Sequence, residues 1–117
     1  MMLALTLAAA TQCIAYVHDA DTLKRCDGTR LRLEAIDAPE LEGSPSCRSA
    51  KQRSRHWCDY RKGEEAKRAL QRIMASGKVE IVYSGRTDRY RRPLVRVMVD
   101  GRDAGHELID RGLARKW

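Results

Sequence analysis

The stretch Leu31-Arg32-Leu33-Glu34-Ala35-Ile36-Asp37-Ala38-Pro39-Glu40 constrains this chain more than any other. Leu31, Leu33 and Ala35 alternate with Arg32 and Glu34, which is the period of a half-buried strand. Pro39 lacks the N–H that a sheet ladder needs and pushes Ala38 towards extended geometry. The strand is therefore expected to end in Asp-Ala-Pro-Glu. One arginine then lies on the strand and two carboxylates at its exit. A guanidinium fork beside acids able to hold a hard cation is what attack on a phosphodiester requires.

At 117 residues the chain reads as one domain, able to bury roughly two thirds of its unfolded surface. It contains no Phe, so its core must be built from Leu, Ile, Val and Ala. Lys and Arg number 23 against 16 Asp and Glu, a net charge of +7. A basic surface favours polyanions, nucleic acid before anionic membrane.

Cys13, Cys26, Cys47 and Cys58 form no C-x-x-C pair, so zinc-ribbon spacing is absent. An even count in a small basic chain points to two disulfides and an oxidising compartment. The competing reading is four reduced thiols in a cytosolic protein. Residues 1–10, MMLALTLAAA, read either as a signal-peptide remnant or as an N-terminal strand. They lack a basic n-region and are too short to span a bilayer as a helix. Secretion or a periplasmic location is the expectation, without stable membrane insertion.

Residues 13–18 and 21–26 read as a hairpin turning at Asp19-Ala20. A two-residue turn sets His18 opposite Asp21 and Cys13 opposite Cys26. Counting outward, 13/26 falls on a non-hydrogen-bonded pair, with Cα atoms ~4.5 Å apart, so a Cys13–Cys26 bridge is expected. Asp27-Gly28 marks a second hairpin. A one-residue bulge at Gly28 sets Leu23 opposite a leucine rather than Arg32. Residues 41–62 show no period and hold Gly, Pro and several Ser, so they read as a long loop. Cys47 and Cys58 staple that loop in one reading; in the other, Cys47, His56 and Cys58 bind a metal but lack a fourth ligand.

Gly63 to Ser76 carries the apolar stripe Ala66, Ala69, Leu70, Ile73 and Met74, a helix stopped by Gly77. Strands follow at 78–83 and 94–99, joined by a charged connection over 85–92. Asp100-Gly101 turns the chain, and Asp103 caps a last helix ended by Gly112. The fold class is α+β, mainly β. Five strands and two helices, one of them between the third and fourth strands, match the five-stranded OB-fold barrel.

Five blocks occur in order: Asp19-Ala-Asp-Thr-Leu23, Arg32-Leu-Glu-Ala-Ile-Asp-Ala-Pro-Glu40, Gly63-Glu-Glu-Ala66, Asp88-Arg-Tyr-Arg-Arg92 and Gly112-Leu-Ala114. Together they resemble the staphylococcal nuclease (thermonuclease-like) family from Val17 onward. The resemblance implies that residues 11–117 form one nuclease-like OB-fold domain, a monomer that uses Ca²⁺ to hydrolyse DNA or RNA. It implies Asp21, Asp37 and the Ala38 carbonyl as calcium ligands, and Glu40 as general base. Arg32 and Arg92 would grip the phosphate, and Arg89 and Tyr90 would lie near the nucleotide. Three departures stand out: Ala20 replaces the glycine of D-G-D-T, Arg91 replaces the glycine of D-[KR]-Y-G-R, and the third helix of longer members has no counterpart before Trp117. If position 91 is left-handed, arginine there costs roughly 1–2 kcal/mol. Trp57 or Trp117 would supply the base stacking that the third helix would have given. The alternative from another class is a non-catalytic nucleic-acid-binding OB-fold module.

Overall fold

The computed structural model describes residues 13–117; the 1–10 segment lies outside them. The chain folds into a curled sheet whose first three strands form a meander, with two of its three described helices packed against it. The strands are β1 (Ile14–Asp19), β2 (Thr22–Arg25), β3 (Arg30–Leu33), β4 (Ile36–Asp37), β5 (Val79–Thr87), β6 (Pro93–Val99), β7 (Arg102–Asp103) and β8 (Arg115–Lys116). The helices are α1 (Ala50–Arg55), α2 (Tyr60–Ala75) and α3 (Ala104–Asp110), with a 3₁₀ turn at Pro45–Cys47. Parallel pairing of β3 with β6 joins the N-terminal meander to the β5–β6 hairpin. The architecture is α+β and OB-fold-like, with three helices among the described residues where the periodicity suggested two.

Turn chemistry explains the meander. At the first turn Asp19, not His18, closes the loop opposite Thr22, and the Asp19 carboxylate accepts the Asp21 N–H at 3.1 Å. Irregularities beside His18 and Ala15 then shift the register twice, so Ile14 faces Arg25. The two shifts bring Cys13 and Cys26 together after all, and they form a disulfide. Their Cα atoms are 5.5 Å apart and the Cys26 N–H donates to the Cys13 carbonyl at 2.9 Å. The pair is therefore of the hydrogen-bonded kind, not the closer kind expected from an unbulged turn. At the second turn Leu23 faces Leu31, with Gly28 at φ +90° in the bulge position.

The alternating strand does not run through Ala35. It breaks after Leu33: Ala35 turns left-handed at φ +67° and is exposed, and Ile36–Asp37 pairs instead with β8. The kink hands the backbone of Ile36–Asp37 to a different strand while the side chains of Leu31, Leu33 and Ile36 stay in one core.

The 41–62 segment is not loop throughout. Ser49 caps α1 by accepting the Gln52 N–H at 3.1 Å, and α2 begins at Tyr60, three residues before Gly63, capped by Asp59. Cys47 and Cys58 are disulfide-bonded, which removes the Cys47/His56/Cys58 metal reading. In α2 the residues Ala66, Ala69, Leu70 and Ile73 are buried against the sheet, with Met74 at the margin. β5 continues to Thr87, so the charged connection shrinks to residues 88–92. At the end of α3 the Leu113 N–H donates to Leu108 and the Gly112 N–H to Ile109, with Gly112 at φ +72°.

Candidate active site

A cleft of about 860 Å³ opens beside the Leu33–Glu40 kink, and Asp21, Arg32, Asp37, Glu40, Arg89, Tyr90 and Arg92 all line it. These residues come from the first turn, β3, β4 and the segment just after it, and the 88–92 loop, which the parallel β3–β6 pairing helps bring together.

Asp21 is the most buried of the acids, only 6% exposed. Its Oδ2 accepts the Ala38 N–H at 2.9 Å and its Oδ1 accepts the Thr22 hydroxyl at 3.1 Å. The first of these bonds sets the Asp37–Ala38 corner against Asp21. Arg32 Nη1 lies 3.5 Å from the same Oδ2 and donates to the Leu33 carbonyl at 2.9 Å. Asp37 is held from the far end of the chain: Arg115 donates to its Oδ2 through Nε at 2.9 Å, and Nη2 lies 2.8 Å from the same oxygen. Glu40 accepts the Ser44 hydroxyl at 2.7 Å, and its own N–H donates to the Trp57 carbonyl at 2.7 Å.

The 88–92 loop is organised by Asp88. Its carboxylate accepts the backbone N–H groups of Tyr90 at 2.9 Å and Arg92 at 2.8 Å, and the Arg92 Nε–H at 2.7 Å. Burial works to raise the Asp88 pKa, but the hydrogen bonds from Arg92 outweigh it and hold the carboxyl below its ordinary value. Arg91 is left-handed at φ +63° and exposed, whereas Arg92 lines the cleft. The arginine that replaces glycine therefore bears the strain and its neighbour faces the site. Arg91→Gly is expected to raise stability by about 1 kcal/mol, the relief of strain less the extra freedom of glycine in the unfolded chain. Chemical denaturation checks this; a loss of stability would show that the left-handed turn is unstrained.

Asp19, Thr22, Asp88 and Arg115 also belong to this neighbourhood. The D-x-D and D-R-Y-R-R patterns carried Asp19 and Asp88. Nothing local marks Arg115, which reaches Asp37 across 78 positions. Trp117 lines the cleft and is 81% exposed, while Trp57 lies under the guanidinium of Arg115 at 5.1 Å and the ammonium of Lys62 at 5.8 Å.

Among the described residues no three acidic, histidine or cysteine side chains are already grouped as a metal cage. The acids that line the cleft nevertheless suit a hard cation, because Asp19, Asp21, Asp37 and Glu40 offer oxygen donors alone. Two of them crowd each other: burial first, then the Asp21 carboxylate, push Asp19 up to about 8. A divalent cation offsets that kind of repulsion. The two disulfides fit an oxidising compartment. Among the described residues no helix is long and apolar enough to cross a membrane.

A comparison with curated proteins finds no match to this chain. The family model described as staphylococcal nuclease homologue matches residues 30–117. The match begins at β3, so the hairpin that carries Asp19 and Asp21 is placed by the geometry alone. It covers most of the chain, including the Arg32–Glu40 corner and the 88–92 loop, and supports a nuclease-like or nucleic-acid-binding OB-fold module. The chain belongs to the staphylococcal nuclease homologue family.

Proposed function

We propose that this protein is a calcium-dependent nuclease that hydrolyses phosphodiester bonds in DNA or RNA. The observation that supports this best is the convergence of Arg32, Arg92 and Glu40 with Asp21 and Asp37 on the lining of one cleft. All five come from one chain, so a monomer suffices. With two disulfides, a secreted or periplasmic enzyme is the consistent setting.

In this reading Asp21, Asp37 and the Ala38 carbonyl would hold the cation, and bound Ca²⁺ would supply Lewis-acid polarisation of the phosphate. Asp21 also organises the corner, since one carboxylate fixes the Ala38 backbone and lies against Arg32. Glu40 takes the proton of the attacking water, and the Ser44 hydroxyl on one of its oxygens steers the other towards that water. Arg32 and Arg92 stabilise the negative charge that grows on the phosphoryl oxygens, an interaction stronger in the transition state than before it. Asp88 engages the Nε edge of Arg92, so the phosphate meets the Nη edge. Tyr90 and Arg89, beside Arg92, hold the adjoining nucleotide.

Plasmid DNA, single-stranded oligonucleotides and RNA, each with Ca²⁺, Mg²⁺ or a chelator, test the proposal. Cleavage with Ca²⁺ and none with chelator is the expected result. Salt-sensitive binding without cleavage in any condition would replace it with a non-catalytic OB-fold module.

A further inference from the structure

We infer that the groove between α1 and the 88–92 loop is a second nucleic-acid subsite, binding the phosphates of a single strand that extends past the cleaved linkage. This rests on the nuclease reading and concerns the length of substrate the enzyme takes.

The groove has a volume of about 690 Å³ and shares Ser46, Arg55, His56, Arg89 and Tyr90 with the candidate active site. The two are therefore continuous, but their chemistry differs. The active-site cleft carries Asp19, Asp21, Asp37 and Glu40, whereas the groove beside α1 is lined by Lys51, Arg55 and Arg89 and by no carboxylate. A polyanion leaving the acid cluster meets three cationic side chains there and no carboxylate. Tyr90 stands at the junction, 64% exposed, with the Arg89 guanidinium 4.9 Å from its ring centre. An exposed aromatic face beside cations suits an unpaired base followed by its phosphate.

The construction of α1 points the same way. None of its residues is buried, so the hydrophobic core does not hold it in place. It is held by the Cys47–Cys58 disulfide, by the Ser49 cap, and by Arg53 Nη1, which donates to the carbonyls of Cys47 at 3.2 Å and Arg48 at 3.3 Å. A helix that adds nothing to the core is thus fastened where Lys51 and Arg55 line the continuation of the cleft.

The double variants Lys51→Glu/Arg55→Glu and Lys51→Gln/Arg55→Gln test this. Neither side chain is buried, so both variants should fold, which circular dichroism checks. The probes are a single-stranded oligonucleotide of about twelve nucleotides and a dinucleotide. Fluorescence anisotropy in chelator reads binding of the longer probe; kcat/KM with Ca²⁺ reads both. The expected result is about a tenfold loss of oligonucleotide affinity and a salt slope shallower by about 0.7 for each phosphate no longer neutralised. The oligonucleotide-to-dinucleotide ratio of kcat/KM should fall by a similar factor. Unchanged affinity, slope and ratio, with cleavage intact, would overturn the subsite and leave the nuclease reading standing. Binding that depends on Lys51 and Arg55 without cleavage of either probe would keep the subsite and end the nuclease reading. A wild-type protein that neither binds nor cleaves would end both.

Discussion

Arg92→Ala is expected to lower kcat for phosphodiester hydrolysis by roughly 10²–10³-fold with little change in the thermal midpoint. Arg92 is partly exposed and its close partner is Asp88, so removing it empties no core site. The loss should fall on kcat more than on KM, because the guanidinium meets charge that is greatest in the transition state. Arg32 needs a different substitution. Its fork lies 3.5 Å from the largely buried Asp21 carboxylate, and alanine there would strand that charge. Arg32→Lys keeps a cation beside Asp21 and removes the planar fork, so a large fall in kcat with the fold retained isolates the phosphate contact. Glu40→Gln keeps shape and removes the base. Steady-state rates on a single-stranded oligonucleotide, beside thermal unfolding, check all three. Normal turnover by any one of them would remove that residue from its assigned role.

Gly63→Ala is expected to weaken both stability and turnover, against the intrinsic preference of a helix. In an exposed helix interior the change would stabilise by roughly 1 kcal/mol. Here a Cβ on Gly63 would collide with the Glu40 carbonyl oxygen and lie 3.1 Å from that of Pro39. The first turns of α2 and the Asp-Ala-Pro-Glu corner are in backbone contact, with no room for a methyl group. Either the helix or the corner must move, at a cost of about 1–3 kcal/mol, and the midpoint should drop by roughly 5 °C or more. Since Glu40 sits on the displaced backbone, kcat should fall as well; a 1 Å misplacement costs about 10²-fold. A midpoint and kcat equal to wild type would show that the contact relaxes without disturbing the site.

The readable parts of this fold were those in which neighbours along the chain decide the geometry. Gly28 in the second turn, the Asp103 cap, the Gly112 stop and the α2 stripe all follow from residues within a few positions of one another. Two features with local signals still escaped. α1 has a capping serine three residues before Gln52, but with no buried side chain it has no apolar period to reveal it. Ala35 fits a strand pattern by polarity, yet its left-handed turn comes from Ile36–Asp37 pairing with β8 at the far end of the chain.

Taken alone, the amino-acid order determined which chemical groups this protein owns: an arginine and two acids around one proline, an aspartate-led basic loop, and cysteines spaced for two cross-links. Backbone turns and periodic apolar residues are short-range effects, and they write themselves into adjacent positions. Only the tertiary structure decided that Arg115 clamps Asp37, that Gly63 abuts Glu40, and that a helix with no core residues borders the cleft. Those contacts join segments far apart in the chain, and their partners are selected by strand pairing and helix packing, which no local pattern encodes.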